Sequence, residues 1–356
     1  MIKIRAYTKY ELLGASSRYR TIQFISRLEK NNIVLDQSYL FSDKYLNQKH
    51  SSKPYLMTAI YCYLRRLTIF VADLFRYKNF FIEKEIFPYL PPFTEIILKL
   101  LRKRYILDYD DAVWLNQMDR ISYLKPINRW KYLWIAKNSI HITVGSTALF
   151  NFMKELNKKT TLIPTVIDKD KYKPRSKFDN KEFVIGWIGS NSTSHHLLEV
   201  NNVLHTLQAR YPNIIIRLVG FDCRLKNLLK FKAEVVKWES RKEIDLIQSF
   251  DVGIMPLKRG DYEKFKCSFK IIQYFGNGIP AVATKIGNNL SVIKQGYNGF
   301  LCSEPDHWIS SLEFYILNPK KRLLHGNAAY NLIEGKFNTE VQTERLTKIF
   351  CSNFKT

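Results

Sequence analysis

The sequence predicts an α/β protein of two domains, each built on a parallel sheet, and three observations support this interpretation. Short β-branched runs alternate with longer helical patterns along the chain, as they do in βαβ units. A polar, basic stretch that contains a proline separates the two halves at residues 168–180. The length of 356 residues corresponds to roughly two domains of about 150 residues.

The elements follow one another in the order that two parallel sheets require. The strands predicted in the first half are residues 2–6, 79–86, 104–109 and 140–144. Those predicted in the second half are residues 183–188, 214–219, 233–237, 252–256, 281–283 and 299–301. The helices predicted among the latter include residues 195–210 and 243–250. We therefore expect an N-terminal domain (1–167), a linker (168–181) and a C-terminal domain (182–336).

Composition excludes two classes of protein. With 46% hydrophobic and 14% aromatic residues, the chain can bury a core in each domain, so it is neither disordered nor a small disulfide-stapled scaffold. The five cysteines are an odd number and form no C-x-x-C pair. We therefore expect a reducing compartment, and no zinc framework is visible in the sequence.

The net charge of +24 predicts anionic partners. Residues 1–180 hold 32 basic and 16 acidic residues, so +16 of the excess lies there and +8 in the remainder. Such a surface attracts phosphates on nucleotides, on nucleic acid or on an anionic membrane leaflet. Charge alone does not choose among these three.

The N-terminus shows no apolar signal-peptide core, and the most apolar stretch, residues 55–75, carries Arg65 and Arg66 near its middle. We therefore expect no spanning helix and a cytoplasmic protein. Residues 65–81 mix basic and large apolar residues at helical spacing. They fit two interpretations, a helix that docks on an anionic leaflet and a core-facing helix with a solvated basic face.

Residues 183–200 are the most informative segment, because a buried strand runs into Gly189 and a helix begins near Ser194. Free backbone N–H groups at such a junction bind anions, and Ser190, Ser192 and Thr193 add hydroxyl donors. The alternative is an ordinary helix capped by Ser or Thr. The segment lacks the G-x-x-x-x-G-K-[ST] spacing of a P-loop.

Residues 266–284 place Lys266, Lys270 and Gln273 along one face of a predicted helix that ends at residues 276–278. A lysine and an amide on one face suit a diphosphate and a ribose, while a solvated amphipathic face explains the same spacing.

Seven segments, in order along nearly the whole chain, resemble those of family 4 (group 1) glycosyltransferases, which have the GT-B fold. The phrase K-C-x-x-K-x-x-Q-Y-x-x-x-G-x-P-x-V-A is similar to the family's nucleotide-sugar motif. Other segments similar to family landmarks are VIGWIGSNST, DVGIMPL, GNNLSVIKQGYNGFL and LIPTVID. Two further segments, LLGASSRYR and YILDYDDAVW, resemble the branch that acts in bacterial surface-polysaccharide synthesis.

The resemblance implies two Rossmann-like domains that face each other across a central cleft, with a final helix (about 337–356) packed back on the first domain. It implies a nucleoside diphosphate sugar in the C-terminal domain. The donor-binding residues that it assigns are Gly14, Gly189, Ser190, Asn191, Thr193, Lys270, Gln273, Gly287, Asn288 and Asn289.

The sequence departs from the family pattern in three features. Gln273 stands where many members have the glutamate that holds the donor ribose, and Phe265 stands at the position of a second glutamate. The Arg and Lys that many members place near residue 190 are replaced by Ser190, Asn191 and Thr193, so Lys270 is the leading cation.

In the N-terminal half, the loop from Gly14 to Arg18 follows the first strand and is either a cover for the diphosphate or a β–α turn capped by serine. Residues 108–111, Asp-Tyr-Asp-Asp, end a strand, and such carboxylates can bind sugar hydroxyls, act as a base or hold a metal. By the resemblance, Asp110 and Lys270 are the candidate catalytic residues, and Arg18 and Asp111 the candidate acceptor-binding residues.

Together these observations predict a retaining, metal-independent glycosyltransferase that needs no cofactor. Its expected partners are a nucleotide sugar and a saccharide or lipid-linked saccharide acceptor, and no nucleic acid is expected. An anionic membrane surface, the inner face of the plasma membrane, is a further partner under the docking interpretation of residues 65–81. A lipopolysaccharide or capsule role follows only from the branch that it resembles. The alternatives are a non-catalytic glycosyltransferase-like subunit and a basic nucleic-acid-binding protein. A dinucleotide-dependent oxidoreductase is disfavoured, because G-x-G-x-x-G is missing after the first strand.

Overall fold

The computed structural model describes residues 1–51, 53–118, 125–175 and 182–354. Within these ranges the chain forms two compact units, each built around a six-stranded parallel sheet, and the predicted α/β fold class is confirmed. The N-terminal unit comprises Met1–Val166, Phe265–Cys267 and Thr339–Thr356. The C-terminal unit comprises Ile167–Lys264 and Ser268–Asn338.

The sheet of the N-terminal unit has the order β2-β1-β3-β4-β5-β6. Its strands are β1 (Ile2–Tyr10), β2 (Ile33–Phe41), β3 (Asn79–Glu83), β4 (Arg104–Tyr109), β5 (His141–Val144) and β6 (Thr160–Leu162). Its helices are α1 (Ala15–Arg20), α2 (Ile25–Glu29), α3 (Asp43–His50), α4 (Leu56–Arg76), α5 (Phe93–Leu100), α6 (Val113–Met118), α7 (Lys125–Asn138), α8 (Thr147–Leu156) and the C-terminal α16 (Thr339–Phe354). A 3-10 turn at Ile22–Phe24 links α1 and α2.

The sheet of the C-terminal unit has the order β12-β11-β10-β7-β8-β9. Its strands are β7 (Phe183–Ile188), β8 (Ile214–Val219), β9 (Glu234–Val236), β10 (Val252–Met255), β11 (Ala281–Thr284) and β12 (Gly299–Cys302). Its helices are α9 (Asn201–Arg210), α10 (Glu243–Gln248), α11 (Asp261–Lys264), α12 (Phe269–Gly276), α13 (Asn289–Val292), α14 (Pro305–Leu317) and α15 (Pro319–Gly335). Its 3-10 helices are Asn191–Val200, Cys223–Leu228 and Ser240–Lys242.

Two strands of the N-terminal sheet escape the sequence prediction, β2 and β6. Both lie at sheet edges. An edge strand tolerates polar residues because one side remains open, and β2 carries Asp36, Gln37 and Ser38 at its centre. Such a strand lacks the continuous apolar run that marks the central strands.

Three predicted boundaries differ from the structure. The helix predicted over 195–210 is a 3-10 helix, Asn191–Val200, followed by α9. The helical pattern predicted over 65–81 ends at Arg76, and β3 begins at Asn79. Residues 168–175 of the predicted linker belong to the C-terminal unit, and residues 176–181 lie outside the described residues.

The helix α16 packs within the N-terminal unit, although it follows the C-terminal unit in sequence. The ring of Phe350 meets that of Phe81 edge to face, with centroids 5.4 Å apart. Arg104 of β4 donates from its guanidinium to the carbonyl of Asn353 at 3.3 Å. The final helix thus covers part of the N-terminal sheet.

A buried aspartate fixes the start of the C-terminal sheet. Asp251, just before β10, accepts a hydrogen bond from the backbone N–H of Val184 in β7 at 2.8 Å. Its other carboxylate oxygen lies 3.1 Å from Arg322. The side chain therefore joins β7, β10 and α15.

None of the helices in the described part of the chain has both the length and the hydropathy that a membrane span requires.

Stability should depend on the protonation of His141, at the start of β5. Burial lowers the pKa of His141 from 6.5 to about 4, with a smaller contribution from Lys159. Between these two pH values the unfolded chain binds more protons than the folded chain. The contribution of His141 to the free energy of unfolding is therefore fully present above pH 6.5 and is lost as the pH falls toward 4. Urea unfolding of the wild type and His141→Gln across this range should show a stability difference that shrinks at acid pH. A pH-independent difference would contradict this assignment.

Candidate functional site

At the carboxyl end of β7, the backbone turns at a position that only glycine fits. A Cβ on Gly189 would lie 2.4 Å from the ring of Trp187 and 2.8 Å from the hydroxyl of Thr193. Gly220, which follows β8, has a φ of +72°, and a Cβ there would lie 2.4 Å from the carbonyl oxygen of Gly189. The two strand ends therefore approach closely because both residues lack side chains.

The helix that follows Gly189 is capped by Ser190 through a capping box with Thr193. The Thr193 hydroxyl accepts from the backbone N–H of Ser190 at 3.2 Å, and the Ser190 and Ser192 hydroxyls lie 3.0 Å apart. No acidic residue lies in the first turn. The Ser cap predicted as the alternative is therefore present. The hydroxyls of Ser190 and Ser192 are exposed and that of Thr193 is half-buried, at the strand end where the sequence predicted a phosphate site.

Lys270 of α12 brings its amine to this strand end. The Nζ atom donates to the hydroxyl of Thr193 at 3.4 Å and lies 4.5 Å from the centroid of the Trp187 ring. A cation over an indole face gains about 0.5–2 kcal/mol. Three of the sequence candidates, Gly189, Thr193 and Lys270, are thus adjacent in the structure.

Gln273, one turn further along α12, is buried and donates from its amide to the carboxylate of Glu243 at 3.0 Å. The indole N–H of Trp238 donates to the other oxygen of that carboxylate at 2.7 Å. The sequence offered no signal for this trio, because Glu243 lies thirty residues before Gln273 and reads as an ordinary residue of a helix start. The amide nitrogen of Gln273 is thus directed at the carboxylate of Glu243.

The loop at Gly287–Asn289 lies beside the start of α12. Ser268, in a left-handed conformation with a φ of +58°, donates to the side-chain oxygen of Asn289 at 2.7 Å. The Asn289 amide in turn donates to the carbonyl of Thr284. Asn288 and Asn289 are both buried, so the side chain of Asn289 holds the loop in place.

Lys266, which the sequence placed on the predicted helix face, does not lie on α12, and neither does Phe265. The helix begins at Phe269, and the three-residue segment Phe265–Cys267, with Lys266 in it, belongs to the N-terminal unit. Phe265 packs edge to face on Trp114 and Phe152, with centroids 6.0 and 5.9 Å away. The expectation that Lys266 shares a helix face with Lys270 is therefore wrong, and Phe265 has an aromatic packing role.

In the N-terminal unit, a cluster of buried charges lies at the carboxyl ends of β1, β3 and β4. Lys84 forms ion pairs with Asp110 at 2.7 Å and with Glu83 at 4.0 Å, and it donates to Ser16 at 3.0 Å. Ser17 donates to Glu83 at 2.6 Å, and the Ser16 hydroxyl lies 2.8 Å from the other oxygen of the same carboxylate. The sequence missed Lys84, because residues 79–86 read as one strand.

Lys84 adopts a φ of +67°, a conformation that costs a side-chain-bearing residue about 1–3 kcal/mol. The strand β3 ends one residue earlier, at Glu83. This turn brings the amine of Lys84 to within 2.7 Å of the Asp110 carboxylate. The ion pair holds Lys84 in its strained backbone conformation.

The same cluster fixes the ionisation of Asp110. Burial opposes ionisation, but the charge and hydrogen bond of Lys84, with a hydrogen bond from Ser16, lower the pKa of Asp110 to about 2. Ser16 donates to this carboxylate at 2.5 Å. Asp110 is therefore a permanent anion at neutral pH and a poor general base.

Asp108, the first aspartate of the same segment, is fully engaged inside the unit. It pairs with Arg20 in two hydrogen bonds of 2.9 and 2.5 Å and accepts from Thr143 at 2.6 Å. Both Arg20 and Asp108 are buried. Asp108 and Asp110 are thus held by different cations, Arg20 and Lys84.

The remaining N-terminal candidates lie close to this cluster in sequence. Gly14 caps α1, and a Cβ there would lie 2.2 Å from the Cβ of Tyr10. Arg18 is half-buried with its guanidinium 4.8 Å from the ring of Tyr19, and Asp111 is half-buried after β4.

His195, His196 and Glu263 form a group whose potential metal-ligand atoms all lie within 4.8 Å of one another. The Nδ1 atom of His196 accepts from the backbone N–H of Lys258 at 3.3 Å, which places the ring proton on Nε2, 3.8 Å from Glu263. A protonated Nε2 has no lone pair for a metal. The group therefore fits a histidine–glutamate contact better than a metal site.

Residues 182–317 match the family model described as glycosyl transferases group 1. The matched residues other than Phe265–Cys267 lie within the C-terminal unit, and the match agrees with the family resemblance seen in the sequence. No curated protein matches the sequence of the chain.

Solved structures similar to the whole chain share the GT-B fold. A sucrose-phosphate synthase from Thermosynechococcus elongatus is 13% identical over 99% of each chain, with a TM-score of 0.72. HepE from Anabaena, in complex with UDP and glucose, is 12% identical over 99% of this chain and 100% of its own, with a TM-score of 0.70. A glycosyltransferase from Rickettsia africae is 13% identical over 100% of this chain and 99% of its own, with a TM-score of 0.67. The TM-scores show a common fold.

Breaking the buried pair of Arg20 and Asp108 should destabilise the N-terminal unit strongly. Arg20→Met leaves Asp108 buried without its cation, which costs about 3–5 kcal/mol. The measurement is urea unfolding. Adding Asp108→Leu to Arg20→Met should recover part of the loss, because no unpaired charge then remains. Equal stability of Arg20→Met and the wild type would contradict the pairing.

Proposed function

We propose that the chain is a glycosyltransferase that moves a sugar from a nucleoside diphosphate sugar to a saccharide or a lipid-linked saccharide, with retention at the anomeric carbon and without a metal. The observation that carries this proposal is the amine of Lys270 beside the hydroxyl of Thr193 at the carboxyl end of β7. This strand end lies inside the domain that the group 1 family model matches. Ligands of open α/β sheets bind at such strand ends.

The chemistry needs stabilisation of the leaving diphosphate, which gains negative charge as the glycosidic bond breaks. Lys270 supplies a positive charge and is positioned by Thr193, while the Ser190 hydroxyl and the N-terminal end of the helix would supply hydrogen-bond donors. Gln273 is placed to accept from a ribose hydroxyl through Oε1, with its amide held by Glu243. The protein would thus supply what a metal supplies in other transferases.

The N-terminal unit would bind the acceptor, with Arg18 and Asp111 as the first residues to test. Asp110 would accept a hydrogen bond from a sugar hydroxyl, because its low pKa suits a fixed anion better than a base. The solved structures of HepE with UDP-glucose and with UDP and glucose support a UDP sugar as the first donor to test. A role in bacterial surface polysaccharide on the cytoplasmic side of the membrane is part of the same proposal.

Lys270→Ala should abolish nucleotide-sugar binding. A thermal-shift panel of UDP-, GDP-, ADP- and dTDP-sugars should stabilise the wild type with one nucleotide class, because selective binding raises the melting temperature by mass action. The shift should vanish in Lys270→Ala and persist in the matched control Lys320→Ala, whose lysine is exposed on α15. Loss of one such donor lowers the transfer rate about 100- to 1000-fold. No shift with any nucleotide sugar would overturn the proposal.

Asp110→Asn should separate binding from transfer. The change removes the anion while keeping the shape, so transfer to a saccharide acceptor should fall about 10- to 100-fold, as expected when a hydrogen bond to a charged group is lost. The thermal shift with the donor should persist, since the donor residues around Lys270 lie in the C-terminal unit. Donor binding without transfer in the wild type itself would instead identify a non-catalytic subunit.

A further inference from the structure

The outward face of α4 is apolar along its whole length. Met57, Ile60, Tyr61, Leu64, Val71 and Phe75 are exposed, from 45% for Ile60 to 87% for Phe75. Their spacing of mostly three or four residues puts them in one stripe, and a helix of 21 residues is about 30 Å long. This apolar stripe is larger than the scattered exposed side chains of an ordinary surface.

Two charged residues of the same helix point inward. Arg66 is buried and donates to the carbonyls of Thr8 and Ser38 at 2.8 and 2.9 Å. Asp73 is buried and accepts from Arg5 at 2.6 Å and from the Tyr7 hydroxyl at 2.8 Å. The buried side of α4 therefore holds two charges beside Cys62 and Phe70, while its exposed side is mostly apolar, unlike the polar outer face of an ordinary surface helix.

Of the two interpretations left open for residues 65–81, the solvated basic face does not include Arg65 and Arg66. Arg65 donates to the carbonyl of Tyr39, and Arg66 is buried. The outward surface of α4 is mostly apolar, and its exposed cations lie at or beyond the ends of the helix.

Exposed cations flank the stripe at both ends. Lys53 precedes the helix, Arg76 is its last residue and Lys78 follows it, and all three are exposed. Between residues 42 and 82 the sequence has seven basic and two acidic residues. Of the two acids, Asp73 is buried and Asp43 accepts from the backbone N–H of Leu13. The surface is therefore apolar along its middle and positive at its ends.

We propose that α4 is a docking helix that lies in the plane of an anionic lipid surface. The stripe would enter the boundary of headgroups and acyl chains, and Lys53, Arg76 and Lys78 would meet lipid phosphates. A second copy of the chain is a poorer occupant, because two such faces would bring positive ends together. The proposal deepens the proposed function by supplying access to a lipid-linked acceptor, and it is tested without measuring transfer.

The experiment is flotation of the full chain with two vesicle preparations. One contains phosphatidylglycerol and phosphatidylcholine in equal parts, and the other contains phosphatidylcholine alone. We expect the wild type to bind the anionic vesicles, and to bind less as salt rises. Leu64→Gln/Val71→Gln/Phe75→Gln should weaken this binding at least about 100-fold, since each side chain buries apolar area in the lipid. Arg76→Gln/Lys78→Gln should weaken it about 30-fold.

The matched control is Leu228→Gln/Leu317→Gln/Leu324→Gln, which changes three leucines of the C-terminal unit with exposures of 54%, 64% and 57%. It should bind vesicles as the wild type does. Unchanged melting temperatures and an unchanged nucleotide-sugar shift in the stripe variant would show that folding and donor binding are intact. Equal vesicle binding by the stripe variant and the wild type would overturn the proposal. A dimeric wild type and a monomeric stripe variant would also overturn it, because the apolar stripe would then bind a second copy of the chain.

Discussion

The candidate donor site depends on one steric constraint, the packing of the Trp187 indole against the backbone of Gly189. The indole is fully buried in the core of the C-terminal unit, and its face also supports the amine of Lys270. Any Cβ at position 189 would push the ring away and move the amine with it. The position of the cation is therefore set by the core and not by a flexible surface side chain.

The N-terminal unit buries several charged side chains near the ends of adjacent strands. Arg20 and Lys84 neutralise Asp108 and Asp110 separately, while Ser16 donates to Asp110 and Ser17 donates to Glu83. Burial raises the pKa of Glu83, whereas the cation of Lys84 keeps that of Asp110 low. Two neighbouring carboxyl groups thus have opposite tendencies toward protonation, which is an environment suited to distinct roles.

The sequence predicted the central strands, because long apolar runs are a local signal. It also named Gly189, Thr193 and Lys270, which are adjacent in the structure. It missed β2 and β6, since edge strands need no continuous apolar pattern. It also missed Lys84 and Glu243. The first depends on a left-handed turn and the second on a contact thirty residues away, and neither leaves a local pattern. The orientation of α4 escaped prediction for a similar reason, because Arg65 and Arg66 find backbone carbonyls that only the folded sheet provides.

The chain passes between the two units four times, after residues 166, 264, 267 and 338. Neither unit is therefore one continuous piece of the gene. A fragment that ended at residue 166 would leave Phe81 without the ring of Phe350, and Trp114 and Phe152 without that of Phe265. Recombination cannot exchange the C-terminal unit between related chains as a single cassette without damaging the other core. Point substitution around an intact scaffold is the evolutionary route that this topology leaves open.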